Sequence, residues 1–169
     1  MRIRKETAAD YKAVYALVEA AFQTAEHADG DEQDLVERLR KSAAFIPELS
    51  LVAEDDGIVV GYILFTKNKV GDSEQLTLAP LAVLPGRQRE GIGGKLIMEG
   101  HRIAENLGYA YSIVLGHASY YPRFGYVPAK EYGIRAPFQV PDEHFMACKL
   151  MQAAEEIEGV LQYPPEFGI

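Results

Sequence analysis

The sequence predicts a mixed α/β fold, with strands and helices in one domain over residues 1–169. Two apolar runs flank Asp-Asp-Gly at residues 55–57, which is a hairpin signal because these residue types tolerate positive φ. Residues 75–115 follow the order strand, glycine-rich turn, helix and strand. A chain of 169 residues also buries enough surface to fold without disulfides or a structural metal.

The N-terminal quarter of the chain predicts a strand and two helices. Residues 2–5 form the strand. Thr7, followed by an aspartate three residues later, opens a capping pattern ahead of apolar residues at helical spacing, which predicts a helix over residues 8–22. Residues 26–34 are acidic and contain glycine, so we expect a loop there. Leucines at helical spacing then predict a second helix over residues 35–44.

The central part of the chain predicts three strands. Residues 49–53 and 58–65 are the apolar runs on either side of the hairpin turn, and they form an antiparallel pair. Residues 75–83 alternate and then become continuously apolar, which predicts a third strand with Pro80 in its middle. Because proline has no N–H for a neighbouring strand, it implies an edge, a bulge or a break in the pairing.

The second half predicts one long helix and two further strands. A regular apolar stripe marks the helix. Its members are Leu96, Ile97, Gly100, Ala104 and Leu107. Gly108 ends the helix, since glycine is common just beyond helix C-termini. Residues 109–115 and 144–150 predict strands, the second being the last, and the tail around Pro164 and Pro165 predicts irregular structure.

Composition excludes several classes of function. The single cysteine, Cys148, rules out an intrachain disulfide framework and a cysteine-based zinc site, and its apolar neighbours indicate a buried side chain. We expect no metal site. The net charge of −8 argues against nucleic-acid binding and favours cationic partners. No apolar run reaches the roughly 20 residues of a membrane helix and no signal peptide is present, so we expect a cytoplasmic protein that binds no membrane.

A glycine-rich turn at residues 88–94 is the clearest functional signal. It follows a strand and opens a helix, so unpaired N–H groups and the helix dipole create an anion site there. A P-loop is excluded, because Arg89 stands where that motif needs glycine and Leu96 follows Lys95 where it needs Ser or Thr. A dinucleotide fingerprint is excluded too, since Leu96 takes the place of its third glycine.

The residues around this turn resemble one known family. Gln88, Gly91 and Gly93 match the pattern Gln/Arg-x-x-Gly-x-Gly/Ala directly after the apolar residues 81–83. Together with the motif Tyr-Pro-Arg-Phe-Gly-Tyr at residues 121–126, they resemble the GNAT superfamily of acyl-CoA N-acyltransferases, and especially its YhbS-like branch. The resemblance covers nearly the whole chain.

This resemblance implies a fold and an activity. The implied fold is a GNAT-like α/β (α+β mixed sheet) architecture, a central and mostly antiparallel sheet with a splayed parallel strand pair, flanked by helices. The implied activity moves the acetyl group of acetyl-CoA, the cosubstrate, to a primary amine of a small molecule or peptide in a ternary complex. The partners are then acetyl-CoA or CoA and an unidentified amine, in a monomer or homodimer.

The resemblance also assigns residues to the coenzyme site. They are Leu81, Ala82, Val83, Arg87, Gln88, Arg89, Glu90, Gly91, Ile92, Gly93, Gly94, Lys95, Ser119 and Tyr121. The N–H of Leu81 would bind the thioester carbonyl, because Pro80 breaks the strand pairing beside it. Tyr121, four residues before a Gly-Tyr pair, would donate a proton to the departing thiolate, with Tyr120 as the alternative.

Several alternatives stay open at this point. The general base is Glu74, Glu131, Asp142 or a water molecule, and either His117 or Ser119 is a candidate to hold the pantetheine or relay a proton. The acidic residues 26–34 either attract the amine or form a solvated loop, and the basic residues around the turn either contact phosphate or face solvent. The same site also suits a noncatalytic acyl-CoA-binding sensor, or a binder of another phosphate ligand such as ATP.

Overall fold

The computed structural model describes residues 1–25 and 28–169. Within them the helices are α1 (Tyr11–Phe22), α2 (Glu32–Arg40) and α3 (Ile92–Asn106). The strands are β1 (Arg2–Lys5), β2 (Phe45–Asp55), β3 (Ile58–Val70), β4 (Ser73–Val83), β5 (Tyr111–Leu115), β6 (Val127–Pro128), β7 (Ile134–Arg135), β8 (Phe145–Lys149) and β9 (Gly159–Gln162). Short 3₁₀ turns join several of these elements, including Pro85–Arg87 before α3 and Tyr121–Phe124 after β5.

Seven of the strands form one row in the order β1-β2-β3-β4-β5-β8-β6. Within this row β4 and β5 run parallel, and the other neighbours are antiparallel. β9 extends the sheet beside the end of β3 and also pairs with β7. The predicted mixed, mostly antiparallel sheet with one parallel pair in its centre is therefore confirmed.

The hairpin between β2 and β3 forms at the predicted turn. Asp56 and Gly57 have φ values of 51° and 78°. Positive φ at both central residues gives a turn whose twist matches that of the strands it joins. The two strands continue beyond the predicted apolar runs, to 11 and 13 residues, because their flanking residues also pair.

β4 diverges from β5 near its midpoint. Ala79 and Pro80 of β4 both stand opposite Leu64 of β3, so β4 carries one extra residue and forms a β-bulge. β4 pairs with β5 up to Thr77, which lies opposite Ile113. Beyond that pair the two strands separate. The predicted break at Pro80 and the splayed strand pair are both confirmed.

Both faces of the sheet are covered. We call the side covered by α3 the front face, and its core includes Phe65, Leu96 and Ile97. The side covered by α1 and α2 is the back face, where Leu17 and Tyr62 are fully buried. A further apolar cluster continues the back face across β5, β8, β7 and β9. Packing on two sides thus holds the diverging strands in place.

Three boundaries differ from the prediction. The first helix begins with a 3₁₀ turn, Ala8–Asp10, that precedes α1. α2 ends earlier than predicted, at Arg40, because the Ser42 hydroxyl donates to the Leu39 carbonyl at 2.8 Å and closes the last turn. Leu107, which the stripe predicts as buried, follows the last residue of α3 and is 45% exposed.

The prediction missed three strands. β6 and β7 contain two residues each and β9 contains four, so none is long enough to show an alternating pattern. The predicted last strand is β8, and β9 follows it before a final 3₁₀ turn, Pro165–Phe167. The predicted loop at residues 26–34 lies partly outside the described residues, at positions 26 and 27, and α2 begins within it.

Asp10 ties β1 to the start of α1. Arg4 donates to both oxygens of its carboxylate, at 2.7 and 2.9 Å, and the Thr7 N–H donates at 2.8 Å. The hydrogen bonds from Arg4, more than any other contact, lower the pKa of Asp10 from its ordinary 3.8 to about 2. Because the folded state holds the carboxylate ionised, it gains stability that is present above pH 3.8 and lost as the pH falls through about 2.

Replacing Asp10 should remove this acid-sensitive stability. Asp10→Asn should lower the free energy of unfolding by about 1–2 kcal/mol at neutral pH, since it loses hydrogen bonds to a charged partner. Urea unfolding at pH 7, 4 and 2.5 should show a smaller drop with acid in this variant than in the unsubstituted protein. Asp72→Asn, in an exposed turn, is the matched control. Parallel pH profiles for Asp10→Asn and the unsubstituted protein would contradict this account.

Candidate active site

A cleft of about 1450 Å³ lies where β4, the start of α3 and the turn Tyr121–Phe124 meet. Its lining includes these predicted residues: Leu81, Val83, Arg87, Gln88, Arg89, Gly91, Ile92, Gly93, Gly94 and Lys95. It also includes Tyr120, Phe124, Arg123, Met98 and Arg102, which were not assigned to the coenzyme site. The structure therefore brings most of the predicted site residues around one cavity.

The exposed backbone of β4 forms one wall of this cleft. The Leu84 N–H donates to the Val60 carbonyl at 2.9 Å, so this antiparallel pair is hydrogen-bonded. Because hydrogen-bonded and non-bonded pairs alternate, the polar groups of Val83 and Leu81 point away from β3. The Gln88 side chain accordingly donates to the Val83 carbonyl at 3.3 Å. The Leu81 N–H thus faces the gap that β5 leaves open.

The first turn of α3 presents free N–H groups to the cleft. The first helical hydrogen bond runs from the Lys95 N–H to the Gly91 carbonyl at 3.2 Å, so the N–H groups of residues 92–94 have no acceptor within the helix. Arg89 and Gly91 have φ values of 68° and 83°, which turn the chain sharply into α3. Free N–H groups at the positive end of a helix dipole bind anions.

Two glycines allow an aromatic wall to contact this turn. A Cβ on Gly93 would lie 2.5 Å from the Tyr120 hydroxyl oxygen and 3.6 Å from a methyl carbon of Leu81. A Cβ on Gly94 would lie 2.8 Å from the ring of Phe124. Only glycine leaves room for these rings. The Tyr120 hydroxyl is thereby held between the first turn of α3 and the open strand.

Two basic residues that line the cleft, Arg87 and Arg123, contact other side chains of the protein. Arg87 is engaged within the protein, since it donates to Asp55 at 2.8 Å and to Glu90 at 3.0 Å. Arg123 lies over the Tyr120 ring, with its guanidinium carbon 4.7 Å from the ring centroid. Arg123 belongs to the motif at residues 121–126, and its positive charge within that motif is the signal by which it could have been found.

Tyr121 lies beside Tyr120, at the end of β5. Its ring centroid is 5.1 Å from that of Tyr120 and 5.6 Å from that of Tyr126, both in edge-on geometry. A Cβ on Gly116 would overlap the Tyr121 ring, so the ring packs directly on that glycine. Burial raises the pKa of the Tyr121 phenol, which therefore stays protonated at neutral pH.

A buried hydrogen-bonded chain supports Tyr121 from behind. The Tyr126 hydroxyl is bonded to the Ser112 hydroxyl at 2.8 Å and to His101 Nε2 at 3.0 Å. Burial lowers the pKa of His101 to about 4, so its ring is neutral near pH 7. This chain ties β5 to α3 and fixes the Tyr126 ring against which Tyr121 packs.

Some predicted coenzyme residues lie outside the cleft lining. Ala82 is buried on the back face, because it alternates with the front-facing residues of β4. Glu90 pairs with Arg87 through its carboxylate, and Ser119 is exposed. Tyr121 reaches the site through its contact with Tyr120 rather than by lining the cavity.

The candidate general bases are dispersed. Glu74 lies seven residues before Leu81 on β4, which corresponds to roughly 23 Å along an extended strand. Asp142 forms an ion pair with Lys130 at 3.0 Å on the surface, and Glu131 is exposed in the adjacent 3₁₀ turn. None of these three carboxylates lines the cleft.

The described part of the chain contains neither a cluster of metal ligands nor a helix that could cross a membrane. Among residues 1–25 and 28–169, no group of three His, Cys, Asp or Glu side chains is placed to hold a metal ion. No helix in this part of the chain combines the length and the apolar character that crossing a bilayer requires.

Comparison with known proteins connects the cleft to a family. A model of the acetyltransferase (GNAT) family matches residues 11–126. The N-acetyltransferase YjhQ of Escherichia coli is 43% identical over 127 residues, which cover 72% of this chain and 70% of YjhQ. The N-acetyltransferase YhbS of E. coli is 30% identical over 99% of both chains.

Two solved structures share the whole fold. The crystal structure of E. coli YhbS in complex with CoA superposes with a TM-score of 0.90 at 29% identity, over 99% of this chain and 92% of that one. A GNAT family acetyltransferase from Brucella melitensis in complex with acetyl-CoA gives a TM-score of 0.81 at 34% identity, over 98% and 97% of the two chains.

The contact between Gly93 and Tyr120 can be tested by a pair of substitutions. Gly93→Ala should destabilise the protein by about 1–3 kcal/mol, because the new Cβ overlaps the Tyr120 oxygen. Adding Tyr120→Phe should restore stability, since the next ring atom is 3.7 Å away. Thermal unfolding measures both effects. Gly86→Ala, with nothing within 4 Å, is the control, and equal losses in the single and double variants would refute the contact.

Proposed function

The chain belongs to the acetyltransferase (GNAT) family, and on that premise we propose that residues 1–169 act as one acetyl-CoA-dependent N-acetyltransferase domain. The enzyme moves an acetyl group to a primary amine of a small molecule or peptide by direct attack in a ternary complex. The observation that carries this proposal is the cleft, in which an unpaired strand edge meets the N-terminus of α3. These two features suit the thioester and the pyrophosphate of one extended molecule.

The pyrophosphate binds at the glycine-rich turn. The free N–H groups of residues 92–94 and the positive end of the α3 dipole recognise its charge. Arg89 and Lys95 line the same part of the cleft and add positive charge, whereas Arg87 organises the turn through Asp55 and Glu90. The CoA and acetyl-CoA found in the two solved relatives support this assignment.

The pantetheine arm runs along the open edge of β4. The outward polar groups of Leu81 and Val83 supply the hydrogen bonds that β5 would otherwise take. The Leu81 N–H then donates to the thioester carbonyl oxygen, and this bond strengthens as the oxygen becomes negatively charged during amine attack. Removing one such donor from other enzymes costs about 3–4 kcal/mol of transition-state stabilisation.

Group transfer follows from positioning the two reactants. The amine nitrogen attacks the acetyl carbon, the C–N bond forms and the C–S bond breaks, so no covalent enzyme intermediate is needed. Holding both reactants in one cleft supplies about 7 kcal/mol or more of the barrier reduction. Tyr121 gives its proton to the departing thiolate. Burial raises the pKa of its phenol, so the hydroxyl carries its proton throughout the neutral range.

A water molecule accepts the proton that the amine releases. Glu74 and Glu131 lie outside the coenzyme cleft, and Asp142 is engaged by Lys130 in an ion pair at 3.0 Å, which supports water over a side chain. Water at the open end of the cleft exchanges with solvent, so no buried carboxylate is required. The acidic composition of the protein favours the arrival of a cationic amine.

Tyr121→Phe should lower kcat by a factor of about 100 or more, because the leaving thiolate loses its proton donor. The dissociation constant of CoA, measured by calorimetry, should change less than threefold, because the substitution keeps the ring and removes only the proton donor. Tyr120→Phe is the matched control and should retain most activity. A larger loss in Tyr120→Phe than in Tyr121→Phe would transfer the acid role to Tyr120.

Ligand binding separates acetyl transfer from the alternatives. CoA at 100 times its dissociation constant should stabilise the folded state by about 2.7 kcal/mol, and ATP should have no comparable effect on Tm. Native mass spectrometry of the purified protein should show copurified CoA or acetyl-CoA. Tight CoA binding without release of free thiol from acetyl-CoA in the presence of any amine would indicate a noncatalytic acyl-CoA sensor instead.

A further inference from the structure

The amine of the proposed reaction needs a route to the gap between β4 and β5. The front face is covered by α3 and by the cleft assigned to the coenzyme. An amine that attacks the thioester between β4 and β5 must therefore approach through the opposite face. The chemistry of the back face beside the gap then decides which amines fit.

Four aromatic rings form a continuous row on this face. We call Phe145, Phe138, Tyr163 and Phe167 the aromatic row. Successive ring centroids lie 6.3, 6.1 and 5.1 Å apart, and the central pair, Phe138 and Tyr163, is stacked with an interplanar angle of 26°. Distances of this size are those of interacting rings.

The row joins the two arms of the gap, by which we mean the ends of β4 and β5 on either side of it. Phe145 pairs with Leu115, the last residue of β5, and therefore marks the β5 arm. At the other end, Phe167 packs against the cluster of α1 and α2, which also contains Leu84, the residue directly after β4. Between them, Tyr163 follows the residue of β9 that pairs with β3. The row thus crosses the back face from one arm to the other.

Three rings of the row retain accessible surface. Phe138, Tyr163 and Phe167 are half-buried, whereas Phe145 is 5% exposed. A cavity of about 640 Å³ opens beside the row and is lined by Phe138 and Phe145 together with the charged residues Lys130, Arg135 and Asp142. This volume is within the range of small-molecule sites, and aromatic lining is typical of them.

The segment that carries Phe167 is anchored to α2. Arg38 donates through Nε to the Glu166 carbonyl at 3.3 Å and pairs with Asp31 at 3.6 Å. This tie fixes Phe167 at the α2 end of the row.

We propose that the acceptor is a primary amine carried on an aromatic body, and that the aromatic row holds that body while the amine reaches the gap between β4 and β5. This inference rests on the proposed acetyltransferase function. It excludes polyamines and lysine side chains as preferred acceptors, because those molecules lack a ring to occupy the row. Phe138 and Tyr163 are its specificity-determining residues.

The test compares three probes, 2-phenylethylamine, butylamine and spermidine, at saturating acetyl-CoA, and measures thiol release. The value of kcat/KM for 2-phenylethylamine should exceed those of the other two at least tenfold, as expected for an apolar group that fills a pocket. Phe138→Leu and Tyr163→Leu should each reduce this preference about tenfold. Tyr132→Leu, which alters an aromatic pair with Tyr111 outside the row, should leave the preference unchanged.

The controls separate this inference from the function on which it rests. The dissociation constant of CoA and the Tm of each variant show whether it is folded and binds the coenzyme. Spermidine as the preferred probe, or an unchanged preference in both folded variants, would overturn the aromatic acceptor while leaving acetyl transfer intact. Release of thiol with none of the three amines, despite tight CoA binding, would count against the acceptor class and against catalysis together.

Discussion

The divergence of β4 from β5 is the constraint on which the site depends. The extra residue at Ala79 and Pro80 shifts the register against β3, and the shift coincides with the end of pairing to β5 after Thr77. Polar groups that a continuous sheet would have satisfied then face an open gap. Unpaired backbone groups are unfavourable when they are dry, so such a gap persists only where water or a ligand completes the hydrogen bonds. In our proposal, the pantetheine arm is the hydrogen-bond partner that the open edge of β4 lacks.

At the start of α3 the residues that suit the cleft are also poor helix formers. Glycine in a helix is less favourable than alanine by about 1 kcal/mol, yet Gly93 and Gly94 occupy the first turn in succession. The close approach of Tyr120 and Phe124 explains them, since a Cβ at either position would overlap a ring. The two glycines therefore lower the helix propensity of this turn, but they let the aromatic rings and the free N–H groups lie at one cleft.

The sequence predicts the elements whose signals are local. The hairpin turn at Gly57, the bulge at Pro80 and the glycine-rich turn all appear in the structure, because each depends on the conformational range of one or two residues. Other contacts between distant segments leave no local signal in the sequence. Arg87 lies in the cleft lining as predicted, but its bond to Asp55, 32 residues earlier, is visible only in the structure, and β9 is recognisable only from its pairing with β3.

The same contrast between local and long-range contacts separates the two sides of the gap. The sequence predicts the coenzyme side better than the back face. The coenzyme side lies within one continuous stretch, from β4 through the start of α3, so its order of residues is itself a motif. The back face combines residue 138, the start of β8 and the segment after β9, which meet only through tertiary packing. Ring-to-ring contacts among such segments leave no periodic trace in the chain. In our proposal the coenzyme face and the acceptor face are therefore built from separate parts of the chain, since Phe138 and Tyr163 lie outside β4 and α3.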